Sequence, residues 1–163
     1  MEGFLDAVGS REPLPAAGSV GALTGSASAG LLGKVCRVLA ARKKNAERAP
    51  ELIALAEKAD KIRFRLGHLI QDDAEAYRRF VAARRAGSNG EPELGVANQV
   101  LARIADSCEE IGRLATEVLG YATGAVQADV QAAKILSAGA RGAVLQLITE
   151  NDSTPPTEKP AQG

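Results

Sequence analysis

The sequence predicts an all-α fold: an up-and-down bundle of about five helices, two of them long, assembling as a homodimer. Three observations predict it. Apolar residues recur at spacings of three and four in each long segment, which is the period of one helix face. The chain of 163 residues is 45% hydrophobic but only 3% aromatic, so Ala, Leu, Val and Ile must build the core, and Ala and Leu are strong helix formers. The long helices carry more apolar face than one thin bundle can bury, which points to a second copy of the chain.

Each element follows from local signals. Residues 2–9 read as a short helix stopped by Gly9 and Ser10. Pro13 and Pro15 make residues 11–17 an extended loop. A long helix is expected from Ser19 to about Asn45, and Ala49-Pro50 ends it with Pro50 placed for the first turn of the next. The third helix, from about Glu51 to Arg85, sets Leu52, Leu55, Ala59, Ile62, Leu66 and Ile70 on one face. The run Ala86-Gly87-Ser88-Asn89-Gly90-Glu91-Pro92 is a loop. A fourth helix continues to about Tyr121, with Val96, Val100, Ile104, Cys108, Ile111 and Val118 aligned. After a break at Thr123-Gly124, a fifth aligns Val126, Val130, Ala133, Leu136, Ala140 and Val144 and ends near Thr149. Residues 1–150 therefore form one helical domain. Residues 151–163, rich in proline and poor in apolar side chains, are expected to be a disordered tail.

The second helix has an unusual composition. Gly21, Gly25, Ala29 and Gly33 recur every four residues, beside a row of Ala22, Ser26 and Gly30. Glycine costs roughly 0.5–1 kcal/mol against alanine inside a helix, so the row needs a reason. Close approach of a neighbouring helix or a ligand supplies one. The segment Val20–Leu32 is too short and too rich in Ser, Thr and Gly to be a membrane span. Leu31 stands where a phosphate loop would need lysine.

Composition narrows the function further. Twenty basic residues balance twenty acidic ones, which leaves no global field to attract nucleic acid or an anionic membrane. Cys36 and Cys108 stand apart and His68 is the single histidine, so no metal site is expected. The opening residues lack the basic and apolar regions of a signal peptide, which makes a reducing cytoplasm the expected location.

The strongest chemical signal is Asp73. It falls in the stripe Ile62, Leu66, Ile70, Asp73, Tyr77, Val81, where every neighbour is apolar or aromatic. A carboxylate on a core-facing stripe must be paired or protonated. Burial raises its pKa, which suits it to proton transfer. A cationic partner, or a place at an oligomer seam, would explain it without chemistry. Asp72 points about 100° away from Asp73 on a helix, so the two cannot easily share one ion. Lys43 and Lys44 read either as cations complementing a helix C-terminus or as anchors for an anionic ligand. Asp129 reads either as a residue capping the fifth helix or as a ligand contact.

The order of short motifs is similar to that of the cyclodeaminase/cyclohydrolase family, which includes the cyclodeaminase domain of formiminotransferase-cyclodeaminase and bacterial methenyltetrahydrofolate cyclohydrolases. The likeness spans roughly Phe4 to Asp152. It rests on Phe4-Leu5-Asp6, on the run Pro13 to Val20, on Ala41 to Asn45, and on Leu69-Ile70-Gln71-Asp72-Asp73-Ala74-Glu75-Ala76-Tyr77. It continues through Ala128-Asp129-Val130 and Ala140-Arg141-Gly142-Ala143. The resemblance implies an all-helical homodimer acting on a C–N bond of a folate one-carbon unit. The substrate would be a tetrahydrofolate derivative, with no tightly bound cofactor. Asp73 matches the last acid of the family's acidic motif and becomes the general acid/base. The binding residues become Gly18, Ser19, Lys43, Lys44, Asp72, Tyr77 and Asp129, with Asp129 facing the pterin and the lysines facing the glutamate tail.

The chain also departs from the family pattern. Leu14 replaces a threonine, Ala16 and Ala17 replace glycines, Gln71 replaces an aspartate and Ala128 replaces a serine. Leu14 and Ala128 remove hydroxyl groups and Gln71 removes a charge from the expected pocket. Two other readings stay open for that reason. The scaffold serves proton-assisted cyclisation, ring opening or dehydration of a different small molecule in specialised metabolism, or it is a non-catalytic binding or assembly subunit.

Overall fold

The computed structural model describes residues 2–153. Helix α1 spans Glu2–Val8, α2 Ala17–Ala40, α3 Ala49–Arg85, α4 Glu91–Leu119 and α5 Ala125–Ser153, with a 3-10 turn at Lys43–Arg48. No strand occurs among the described residues. Helices α2 to α5 form an up-and-down bundle in which each packs on the next and α5 returns to α2. Four helices are long, not two, at 24, 37, 29 and 29 residues. No described helix is long and apolar enough to cross a membrane.

The composition of α2 follows from its neighbours. It meets α3, α4 and α5 at once. A methyl group at Gly21 would come 2.6 Å from Val144 of α5, and one at Gly25 would come 2.8 Å from Cys108 of α4. At Gly33 it would meet Ala59 of α3 at 3.5 Å. Close backbone approach is therefore the reason for the row of small residues. Larger residues from the other helices fill the core, among them Leu52, Leu55, Ile62 and Leu66 of α3, Ile104 of α4 and Val130 of α5.

Several boundaries differ from the sequence expectation. Helix α2 starts at Ala17 and stops at Ala40, short of Asn45. The side chain of Asn45 folds back and donates to the Leu39 carbonyl at 2.9 Å, so the chain turns there. Lys43 and Lys44 consequently sit in the 3-10 turn and not on the last turn of α2. Helix α3 begins at Ala49, with Pro50 in its first turn. Helix α5 continues through Ser153, past the expected start of the tail. Asn151 donates to Asn98 Oδ1 at 2.7 Å and Asn98 donates to Asp152 Oδ1 at 2.9 Å, which clasps that end to α4. The remainder of the expected tail, 154–163, lies outside the described residues.

Two stripes are also corrected. Leu136 is 47% exposed, while Ser137 beside it is buried and donates to the Lys134 carbonyl. On α3 the stripe leaves the core after Leu69: Ile70 and Val81 are half-buried and Tyr77 is 40% exposed. The reason is length. Helix α2 begins near the level of Asp73, so the last three turns of α3 outrun it and have no α2 partner.

Candidate active site

The start of α2 meets α3 at a carboxylate. Ser19 Oγ donates to Asp73 Oδ2 at 2.7 Å, and it lies 3.3 Å from the Ile70 carbonyl. The Ser19 backbone N–H also serves the carboxylate. Helix α2 has no capping side chain of its own at Ala16, so Asp73 meets its free N-terminal donors from the neighbouring helix. Gly18 makes this approach feasible. A Cβ there would stand 2.7 Å from Asp73 Cγ and 2.8 Å from Oδ2. Among the described residues, no cation pairs with Asp73. Burial holds its carboxyl above the ordinary value of 3.8, against the lowering effect of the two Ser19 donors.

Asp72 turns toward α4 and pairs with Arg103 at 3.6 Å, so the two adjacent acids separate as helix geometry requires. Two open grooves flank this corner. One, of about 620 Å³, lies between Phe4, the Leu14–Pro15 loop and the face of α3 carrying Gln71, Asp72 and Glu75. The other, of about 610 Å³, runs between Pro13, Leu14, Tyr77 and Val81, with Arg78 and Arg85 on its rim. Asp73 lines neither groove, because its carboxylate is turned to Ser19. Ile70 belongs to the first groove and Tyr77 to the second, so Asp73 is within one helical turn of both. The sequence reading passed over Arg78 and Arg85. Their seven-residue spacing on one helix face was the signal available.

The remaining expected residues lie at the other end of the bundle. Lys44 Nζ is 3.3 Å from Thr123 Oγ1 in the loop joining α4 to α5. Arg103, which pairs with Asp72, is more than four turns of α4 away from that loop, on the order of 25 Å. Asp129 is about four turns of α5 from Val144, on the order of 20 Å, and Val144 is the residue that packs on Gly21. Within one protomer, Gly18, Ser19, Asp72, Asp73 and Tyr77 gather, and Lys43, Lys44 and Asp129 do not join them. Helix α5 starts at Ala125, after Gly124 turns the chain with φ of 66°, so Asp129 is one turn inside and does not cap the helix. Burial pushes the thiols of Cys36 and Cys108 up to about 11, which leaves neither as a ready nucleophile. Among the described residues no cluster of three His, Cys, Asp or Glu side chains could hold a metal ion.

The fold and the sequence have known relatives. A methenyltetrahydrofolate cyclohydrolase from Methylorubrum extorquens is 32% identical over 93 residues, which cover 57% of this chain and 45% of that relative. The match thus spans less than half of the relative's length. A formiminotetrahydrofolate cyclodeaminase from Thermotoga maritima, solved as a crystal structure, has the same fold. Its TM-score is 0.87 at 20% identity, over 93% of this chain and 77% of that one. The formiminotransferase-cyclodeaminase family model matches residues 1–152. With nearly every described residue inside that match, the chain belongs to the formiminotransferase-cyclodeaminase family.

Proposed function

We propose that the protein is an enzyme that makes or breaks a C–N bond of a tetrahydrofolate one-carbon unit, with Asp73 as general acid/base. The observation that carries this reading is the half-buried carboxylate of Asp73, free of any cationic partner among the described residues and bonded to Ser19 beside two ligand-sized grooves. Family membership supplies the substrate class. In the hydrolytic direction, water adds to the bridging carbon of a methenyl substrate. Asp73 accepts a proton from the water. The carbon–nitrogen bond then breaks, a proton passes to the departing ring nitrogen, and one proton is released to solvent. In the deaminating direction, the substrate nitrogen outside the pterin ring attacks the formimino carbon and gives up its proton to the imino nitrogen, which takes a second proton from the acid and departs as ammonia. Either course is helped by a group whose proton affinity lies between those of an ordinary carboxylate and hydroxide.

Gly18 gives the acid room, Ser19 orients it, and Tyr77 offers a ring face for a flat substrate. Asp72 stays with Arg103 and holds α3 against α4. A homodimer is part of the proposal. Lys43, Lys44 and Asp129 would reach a substrate at Asp73 only from a second copy. The test is direct: the purified protein is offered methenyltetrahydrofolate and formiminotetrahydrofolate, with turnover followed by absorbance and binding by calorimetry. Turnover of either supports the reading. If neither is turned over and neither binds at millimolar concentration, folate chemistry is excluded, and the scaffold serves another small molecule.

A further inference from the structure

Resting on the C–N reading above, we propose that Arg78 and Arg85 form the carboxylate-binding end of the substrate site, and that the substrate lies lengthwise in the groove between the Pro13–Leu14 loop and α3. Pro13, Leu14, Tyr77 and Val81 give this groove apolar walls. Tyr77 is 40% exposed there, and an open aromatic face suits a flat ring. Two guanidinium groups stand on the rim of the same groove. They are seven residues apart, so they share one face of α3, about 10 Å apart along its axis.

The other arginines of this stretch are engaged. Arg79 pairs with Glu75 at 3.0 Å, and Arg84 donates to the Asn89 carbonyl at 3.3 Å. Arg78 is held only by a 3.3 Å contact to the same Glu75, at an exposed position. Arg85 makes no hydrogen bond or ion pair with a described residue. A guanidinium fork matches a carboxylate in shape as well as charge.

Arg78 also borders the rival groove, but Asp72 and Glu75 line that one and make it less suited to an anion, whereas Arg85 belongs to the Tyr77 groove. Lys43 and Lys44 are too distant in the same protomer. Direction follows from the helix: Asp73, Tyr77, Val81 and Arg85 lie on successive turns, so a ligand reacting at Asp73 and stacked on Tyr77 delivers its far end to the two arginines. The ligand class is thus a flat heterocycle carrying a carboxylate tail.

Kinetics with and without the tail test this. In an R78A/R85A variant, KM for glutamyl methenyltetrahydrofolate should rise roughly tenfold with kcat unchanged, as expected for the loss of charge-assisted hydrogen bonds. KM for methenyltetrahydropteroic acid amide, which ends in a neutral amide and carries no carboxylate, should stay the same. A K58A/K61A variant, which removes two exposed charges from an earlier stretch of α3, should show neither change. An equal rise for both substrates, no rise for either, or an equal rise in K58A/K61A overturns the proposal. Should the wild type turn over neither substrate, the folate reading fails and the groove is judged separately by calorimetry. The probes are p-aminobenzoylglutamate and the uncharged p-aminobenzamide. A preference for the first that disappears in R78A/R85A supports the arginine site, and no preference in the wild type overturns it.

Discussion

The two ends of the bundle carry charge in opposite ways. At the start of α2, Asp73 is half-buried, has no counter-ion among the described residues, and is served by the hydroxyl and N–H of Ser19. At the far end, Lys43, Lys44 and Arg48 are exposed. There Arg48 lies over the Tyr121 ring at 5.5 Å, and hydrogen bonding to Glu51 pushes the Tyr121 hydroxyl up. Charges of the second kind are screened by water and contribute little to folding or binding on their own. A charge of the first kind costs the fold something and is kept only where it does something. Helix capping and proton transfer are the two uses this position offers, and substitutions at the two ends separate them.

The largest effect is expected for Asp73→Asn. Asparagine keeps an oxygen for Ser19 but cannot exchange a proton, so turnover should fall by roughly 10²–10⁴-fold. Stability should not fall with it. Burial raises the folded-state pKa, so the folded protein holds a proton at pH values where the unfolded chain has released it. The contribution of this group is therefore present below the ordinary value of 3.8 and is lost as pH rises through the folded value. Near neutral pH the carboxylate is a liability that Asn removes, and the melting temperature should hold or increase. If Asp73 served only as a cap, the variant would lose stability and keep its activity. The raised pKa also fixes the sign of the rate profile. Where the base form is required, kcat/KM climbs with pH through a limb lying above 3.8.

Gly18→Ala should come next. The added methyl collides with the whole Asp73 carboxyl group, most closely with Oδ1, so either the start of α2 or the acid must move. Overpacking of this kind costs about 1–3 kcal/mol. Displacing an acid by an ångström can cost on the order of 10²-fold in rate. Melting curves and kcat measured together check both. Ser19→Ala is milder. It removes a donor that lowers the Asp73 pKa, so the acid limb of the rate profile should move to higher pH while the fold persists. An unmoved limb would separate Asp73 from that titration.

Much of this contrast was legible in the sequence because it is periodic. The place of Asp73 on an apolar stripe depends only on spacing, and so do the small residues of α2, whose crowding against Val144 and Cys108 is the packing they signalled. What spacing cannot supply is the level at which two helices meet. Nothing local says that α2 starts opposite Asp73 and leaves Tyr77 exposed. Nothing local says that Asn45 turns back to Leu39 and carries Lys43 and Lys44 off the helix. Motif order along the chain placed Asp129 with Asp73, yet antiparallel packing sets them at opposite ends of one protomer. Arg78 and Arg85 were overlooked for a related reason: exposed arginines on a helix look alike until a loop from elsewhere, here Pro13–Leu14, makes one side of them a groove.

The smallest effects are expected at the far end, and they sharpen the contrast most. Lys43→Ala and Lys44→Ala, at exposed positions, and Asp129→Asn, a near-isosteric change at a half-buried one, should each alter stability by less than about 0.5 kcal/mol. In an isolated protomer they should leave turnover unchanged as well, since they lie on the order of 20–30 Å from Asp73. A homodimer alters that expectation in one specific way. If a second copy brings its far end against the first copy's Asp73, the same substitutions reduce turnover without touching the melting temperature. The activity of the unmodified protein then falls on dilution, in step with dissociation seen by light scattering. A mixture of Asp73→Asn and Asp129→Asn subunits would regain part of the lost activity, because one of its two mixed sites is intact. Regained activity would make the two ends halves of one site. Its absence, with both single effects near zero, would leave the chemistry at the start of α2 alone.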